Sequence, residues 1–580
     1  MLFPRVNEHR EVIDLSGFWD FRPDPRDEGR AAGWSAGVPD GVPIAVPASW
    51  NDQLPDLRDY LGPAWYSTAF RLPASWKGGR ILLRLDSVNY LAEVWLNGRP
   101  LGSHEGGHLP FGFEIGSAVA PGRNVLAVRV DGNLAPDRVP PGNVPPDPMY
   151  TLMGSGQFPD ATFDFFPFCG IHRPVRLALV PEGGIEDIAV DTAWDGGPAT
   201  VRVRLACGAA EGVRARFTLS GHGAPVSVEA AVASGRAEAE LRVPKPALWA
   251  PGSPNLYELT AELLRGGAAF DSYALSVGIR TVAVDGDRLL LNGQPVHLKG
   301  FGRHEDFPVT GRGLVPAVAV RDFEMMRWTG ANSFRTSHYP YSEETMDLAD
   351  RLGFLVIDET PAVGLFFKQN GLTRRLEVCR GYVEELIRRD RNRPSVIAWS
   401  LANEPNSRNA EAGPFFRVLF DLAKSLDPGR PVTVVSHVGV DEEAFSFCDL
   451  VCLNRYYGWY TQQGNIGEGC LKLSRELDDL HAKFRKPVLL TEFGADAIAG
   501  CHADPPEMFS EEFQALFIEK YLEVAAAKPW VAGEHVWNLC DFKTGQAVRR
   551  VAGMNLKGVF TRDRRPKMAA HTLRRLWGGS

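Results

Sequence analysis

Along the first third of the chain, apolar and polar residues alternate with a period of two, in runs too short for helices. Residues 81–85, 92–96 and 125–130 are such runs, and this alternation predicts strands with one buried face. The dipeptides Asn97-Gly98 and Asp131-Gly132 punctuate them as turn signals. Trp19, Trp65, Tyr66 and Trp95 gather in the same region. Residues 136–148 are rich in Pro and predict a long loop. Together these features predict a jelly-roll β-sandwich over residues 1–182. Short runs at 188–190, 199–205, 215–219, 237–243 and 257–264 follow. Their spacing predicts an immunoglobulin-like sandwich over residues 183–277.

From residue 278 the period changes. Short apolar runs now alternate with amphipathic stretches, the pattern of a parallel α/β domain. Eight strand candidates occur, at 296–304, 332–338, 354–359, 396–403, 432–438, 450–456, 488–492 and 533–538. Helices are expected between the strands, for example at 315–328, 343–352, 374–389, 415–426, 471–484 and 511–526, and 567–576 is expected to close the chain as an eighth. Eight strands in about 300 residues is the count of a (β/α)8 TIM barrel. An open doubly wound sheet is the rival, but no Gly-rich phosphate loop follows the first strand. The expected architecture is therefore multidomain, with the barrel over residues 278–580.

Composition narrows the function classes. The chain of 580 residues has a net charge of −8, 44% apolar and 23% charged residues, the balance of an ordinary globular protein. The charge is spread thinly, which argues against a nucleic-acid partner and against an anionic membrane surface. No apolar run approaches the ~20 residues of a membrane helix. Arg5, Glu8, His9, Arg10 and Glu11 interrupt any apolar leader. The eight cysteines lack paired-ligand spacing, and no glycosylation sequon occurs. A cytoplasmic setting with reduced thiols, and no metal or organic cofactor, is expected.

In a TIM barrel the reactive groups sit at the C-terminal ends of the strands. Those ends carry Arg303 to Asp306, Arg335 to His338, Asp358-Glu359, Asn403-Glu404, His437, Asn454 to Tyr456, Glu492 and Trp537-Asn538. A ring of polar groups at one rim is costly unless it serves chemistry. Two apolar runs end abruptly in a carboxylate, at Glu404 and at Glu492. Their strands, the fourth and seventh, face one another across the barrel, so the two carboxylates can flank one bond. Glycoside hydrolysis needs such a pair: one protonates the leaving oxygen and the other attacks the anomeric carbon. A separation of about 5–5.5 Å would give retention and about 6.5–9.5 Å inversion.

The motifs resemble those of glycoside hydrolase family two, and within it the β-glucuronidases. The likeness spans nearly the whole chain. It rests on Asn332 to Pro340 (NSFRTSHYP), Asp358-Glu359-Thr360, Ser400 to Pro405 (SLANEP), Leu453 to Tyr460 (LNRYYGWY), Thr491 to Gly494 (TEFG) and Gly558 to Arg562 (GVFTR). In the first sandwich, Asp164-Phe165-Phe166 and Gly170 to Arg173 also match. The resemblance implies that Glu404 is the acid/base and Glu492 the nucleophile of a retaining exo-β-glucuronidase. It implies that Asn403 binds the sugar 2-hydroxyl. It places Asn454, Tyr456 and Tyr460 around the nucleophile, Asp164 on a sugar hydroxyl with His304 nearby, and Trp537 in the sugar floor. Asn555-Leu556-Lys557 would grip the C6 carboxylate of a uronic acid, for which a cation and donors are required. Arg550 is a further candidate there, although residues 549–554 run one longer than the family pattern and leave the choice between Arg549 and Arg550 open. Pro167 stands where the family commonly has Asn. The short segment 362–372 implies an open mouth over the aglycone, which would be a small group or a glycan end. The resemblance also implies a homo-oligomer, with a tetramer as one form. A β-galacturonidase or β-galactosidase of the same family is the alternative reading, and a non-catalytic carbohydrate-binding protein the remote one.

Overall fold

The computed structural model describes residues 1–76, 79–144, 157–209, 212–367 and 371–578. The first sandwich packs a six-stranded sheet, in the order Val42–Val46, Gly17–Pro23, Ala64–Phe70, Asn124–Asp131, Leu91–Leu96 and Arg99–Glu105. Opposite lies a four-stranded sheet, Glu11–Asp14, Val175–Pro181, Gly79–Leu85 and Phe111–Glu114. Adjacent strand residues point to opposite faces, and this splits the aromatic cluster. Tyr66 enters the core, edge-on to Trp19 and Phe21, while Trp65 stacks on Trp95 at 4.9 Å on the other face. Asn97 and Gly98 both hold positive φ, at 54° and 76°, the geometry of a two-residue hairpin turn. Asp131-Gly132 makes no hairpin. A Cβ on Gly132 would fall 2.2 Å from the Cys169 sulfur, so this glycine serves a close approach instead. Of the expected Pro-rich loop, residues 145–148 lie outside the described residues.

The second sandwich has a three-stranded sheet, Ile185–Ala193, Ala199–Cys207 and Arg236–Val243, facing a four-stranded one. The latter contains two strands that the sequence pattern missed, Val226–Ala231 and Ala268–Val277. Val226–Ala231 alternates half-buried and exposed residues, with Val226, Val228 and Ala230 against the core, but the run is short and none of it is fully buried.

The barrel closes in sequence order: Leu298–Gly302, Ser333–Arg335, Leu355–Glu359, Val396–Asn403, Val432–Ser436, Val451–Asn454, Val488–Phe493 and Val531–Val536. All eight strands expected from the sequence are present. The first pairs in parallel with the eighth, from Leu298↔Gly533 to Phe301↔Val536. Seven long helices surround the barrel among the described residues, one fewer than expected. After the fifth strand the chain makes only two short 3-10 turns, Gly439–Asp441 and Glu443–Ser446. Glu442 holds them, accepting from Ser436 Oγ at 2.6 Å and from the Ala444 N–H at 3.1 Å. A hairpin preceding the barrel, Val282–Asp285 and Arg288–Leu291, packs Leu289 and Leu291 with Leu298, Leu355, Ile397, Val435 and Leu489. That plug fills the N-terminal end and leaves the C-terminal rim for polar groups. No helix among the described residues is long and apolar enough to cross a membrane.

The first sandwich is tied to this rim. Arg173 donates to Glu305 at 3.0 Å, and Asp52 accepts from Lys543 at 2.8 Å and from Arg562 at 2.6 Å. Phe158 and Gln546 exchange backbone hydrogen bonds of 3.0 and 2.8 Å. The loop between these anchors delivers Asp164 to the barrel mouth.

Candidate active site

A cavity of about 360 Å³ opens at the C-terminal rim of the barrel, lined among others by Asp164, Asn403, Glu404, Asn454, Tyr456, Tyr460, Glu492, Trp537, Arg549, Arg550 and Asn555. Glu404 and Glu492 thus face one space. Their surroundings differ. Glu404 ends the fourth strand with φ +45°, a left-handed conformation that costs a residue with a side chain of order 1 kcal/mol. Its N–H is held by the Val435 carbonyl at 2.9 Å. The Glu404 carboxylate is partly buried and accepts from the neutral Asn454 amide at 2.8 Å.

Glu492 is buried and lies against a cation. The Arg335 guanidinium donates to its Oε1, and the Tyr456 hydroxyl donates to its Oε2 at 2.7 Å. The His338 ring lies 3.7 Å away. Burial pushes the Glu492 carboxyl above its ordinary range, and the Glu404 charge adds to that. Arg335, His338 and the Tyr456 hydroxyl pull the other way. Burial also pushes the Tyr456 phenol well up, reinforced by Glu492, so this hydroxyl stays a donor.

Arg335 is itself oriented from behind. Its Nη1 donates to both oxygens of Glu359, at 2.7 and 2.8 Å, and to Asn403 at 3.3 Å. Glu359 also accepts from Ser400 at 2.8 Å and contacts the His338 ring at 3.0 Å. Burial raises the Glu359 carboxyl, but Arg335, His338 and Ser400 outweigh it and hold the group below its ordinary value. Asn454 binds Asn403 at 3.1 Å in addition to Glu404, and its own carbonyl accepts from Thr491 at 2.9 Å. The fourth, sixth and seventh strands are therefore locked into one hydrogen-bonded layer.

At the other end of the cavity lies a paired-charge cluster. Arg550 grips both oxygens of Asp164, with Nε at 2.9 Å. Asn555 donates to Asp164 at 2.9 Å. Lys557 is 1% exposed and stands outside the cavity lining, bonded to the lining residue Tyr460. Its ammonium donates to Asp496 and, at 2.9 Å, to the Tyr460 hydroxyl, which also accepts from Arg550 at 3.0 Å. Of the two candidate arginines, both line the cavity, but Arg550 is buried in this cluster and Arg549 is exposed at the rim.

His304 lies outside the cavity lining. It sits behind Trp537 and His338, at ring distances of 5.4 and 5.6 Å, and bonds the Tyr339 hydroxyl at 3.0 Å. Burial, with His338 and several arginines, holds its imidazole well below the ordinary value, so it packs as a neutral ring. Trp537 forms part of the lining and stacks on His338 at 4.9 Å. Of the short segment 362–372, Val363 and Gly364 reach the cavity and residues 368–370 lie outside the described residues. Asp496 stands outside the strand-end list expected from the sequence, whereas Arg335, His338 and Glu359 are on it without an assigned role. No cluster able to hold a metal ion occurs among the described residues.

Family models match almost the entire chain: the sugar binding domain of glycosyl hydrolases family 2 at residues 12–181, the family 2 domain at 184–280 and the family 2 TIM barrel domain at 282–579. A β-glucuronidase of Paenibacillus borealis is 43% identical, covering 100% of this chain and 98% of that protein. The β-glucuronidase of the dog, Canis lupus familiaris, is 40% identical over 100% of this chain and 92% of its own. Among solved structures, Bifidobacterium dentium β-glucuronidase complexed with coumarin-3-O-glucuronide superposes with a TM-score of 0.94 at 39% identity, covering 100% and 99% of the two chains.

Proposed function

Because this chain belongs to glycosyl hydrolases family 2, we propose that it is a retaining, exo-acting β-glucuronidase in which Glu492 is the nucleophile and Glu404 the acid/base. The observation that carries the assignment is the unequal wiring of two carboxylates in one cavity. Glu492 touches a guanidinium and a phenol, which stabilise an anion, while Glu404 touches a neutral amide. A nucleophile must be ionised, and an acid must hold its proton until the bond breaks.

In the first step Glu404 gives its proton to the glycosidic oxygen as Glu492 attacks the anomeric carbon. The C–O bond breaks, the aglycone leaves as an alcohol, and a glycosyl ester of Glu492 remains. In the second step the Glu404 carboxylate takes a proton from water, whose oxygen attacks the same carbon and releases Glu492. Asn403, held by Arg335 and Asn454, is placed for the 2-hydroxyl. Tyr456 steadies the nucleophile and Trp537 forms the floor. Arg550, Asn555 and Lys557 receive the C6 carboxylate, with Asp164 and Tyr460 completing that end. Two buried cations there favour an acidic sugar over a neutral one. The relatives' printed names support the same substrate.

The cytoplasmic setting and the homo-oligomer expected from the sequence belong to the same proposal. All eight cysteines are unpaired, which supports a reducing compartment. The test of the mechanism is Glu492→Ala assayed with an aryl β-glucuronide. Turnover is expected to vanish and to return with azide as the α-glycosyl azide. A variant that keeps parent turnover would sink the assignment.

A further inference from the structure

Two cations buried at the sugar-carboxylate end must be kept charged and in place when no sugar is bound. Asp164 serves Arg550, but it stands at the cavity wall with its side chain about one-third exposed, 35%. Asp496 stands deeper, with its side chain 3% exposed, and touches both cations. Its Oδ2 accepts from Lys557 Nζ and lies 3.7 Å from Arg550 Nη1. Its Oδ1 accepts the Leu556 N–H at 2.8 Å, inside the Asn555-Leu556-Lys557 segment. One carboxylate therefore fixes both the backbone that carries Lys557 and the ammonium at its tip.

The remaining walls around Lys557 are aromatic. The ring centroids of Tyr460, Trp459 and Tyr456 lie 4.7, 5.2 and 5.8 Å from Nζ. An ammonium has three N–H donors. Asp496 and Tyr460 accept two of them, and those two acceptors set the direction of the third. Asp496 is itself braced. Ala497 donates to the Leu556 carbonyl at 3.0 Å, and Lys567 ties the Ala497 and Leu556 carbonyls together at 2.8 and 3.0 Å while pairing with Asp541 at 2.8 Å. Asp496 also follows Glu492 by four residues, just past the end of the same strand, Val488–Phe493.

We propose that Asp496 is the positioning residue that sets acidic-sugar selectivity, by holding Lys557 in place and aiming it. The proposal rests on the uronate reading of this end of the cavity. It acts through Lys557, so the two residues form one functional unit. Removing either gives the same loss, and removing both gives no further loss.

The experiment compares 4-nitrophenyl β-D-glucuronide with 4-nitrophenyl β-D-glucoside for the full chain and for Asp496→Asn, Lys557→Ala and Asp496→Ala/Lys557→Ala. Asp496→Asn is expected to raise the glucuronide KM at least tenfold, with a smaller change in kcat, and to lower the glucuronide-to-glucoside ratio of kcat/KM at least tenfold. The double variant leaves no lysine to be stranded, and it is readable even if Asp496→Asn folds poorly. Its ratio is expected to equal that of Lys557→Ala within threefold. A double variant tenfold less selective than Lys557→Ala, or an Asp496→Asn that lowers both substrates equally, overturns the proposal. If Lys557→Ala itself leaves selectivity unchanged, the uronate reading fails. If Lys557→Ala loses selectivity and a folded Asp496→Asn keeps it, only the role of Asp496 fails.

Discussion

Arg335 and Glu492 form a buried ion pair in which the guanidinium is shared: one nitrogen meets Glu492 and the other both oxygens of Glu359. Glu359 thereby aims the cation while Glu492 keeps one oxygen on Arg335 and the other on Tyr456.

This pair predicts a pH effect. Burial raises the Glu492 carboxyl and Arg335 opposes it. As the proposed nucleophile, Glu492 must be ionised to attack, so activity falls as pH drops through its folded value. Arg335→Gln removes the opposing charge and moves the acid limb of kcat/KM upward, by about one unit or more. Arg335→Lys keeps part of the effect. The pH profile with an activated aryl glucuronide measures it. An unmoved acid limb in a folded, slower Arg335→Gln would refute the coupling.

Glu404 has a separable signature. In Glu404→Ala the leaving group must depart without a proton, so a 4-nitrophenyl ether loses far more rate than a 2,4-dinitrophenyl one. The glycosyl ester then accumulates, since no base activates water. A rapid burst followed by slow turnover is expected, and azide should restore turnover with the β-glycosyl azide as product. Equal losses for both leaving groups would assign the acid elsewhere.

In the proposed role, Lys557 gives the sugar carboxylate a charge-assisted hydrogen bond worth about 1.5–3 kcal/mol. Lys557→Ala should therefore lower glucuronide kcat/KM by about 10- to 150-fold and neutral glycosides much less. Side-by-side kinetics on glucuronide, galacturonide and galactoside measure it. A parallel fall in all three would mean that the lysine supports the fold and not the acidic sugar.

Stability has its own test at Asp322, buried between two arginines. It accepts from Arg303 at 2.8 Å and from Arg564 at 2.9 and 3.2 Å. Asp322→Ala strands both guanidiniums in the interior, at a cost of about 3–5 kcal/mol. A lower melting temperature and reduced soluble yield are expected. A melting curve superposable on that of the parent would refute it.

The sequence was legible where burial forces a repeating pattern. Barrel strands read clearly because every residue of Val396–Asn403 is buried, and an apolar run that stops at a carboxylate marks the rim. Val226–Ala231 escaped because its alternation is short and shallow, with Val226, Val228 and Ala230 only half-buried against the core. The missing helix after the fifth strand had a faint signal, since no amphipathic stretch stands between residues 438 and 450. Within the site, Glu404 and Glu492 announced themselves by position. Asp496 did not, because a carboxylate just past a strand end looks like any solvated loop residue. Its importance comes from Lys557, 61 positions away. His304 shows the opposite case: a histidine at a strand end that packs behind the wall as a neutral ring.

The reach of Asp164 across the domain boundary has a consequence for dissecting this enzyme. A barrel excised from its amino-terminal partner would carry both glutamates, Asp496 and Lys557. It would lack the carboxylate that grips Arg550 and the strand-like seam from Phe158 to Gln546. Recognition is in that sense a joint product of two bodies whose cores meet, since Phe163 and Phe165 are buried in the same cluster as the barrel core, and grafting the barrel onto a foreign sandwich transfers the chemistry without the fit.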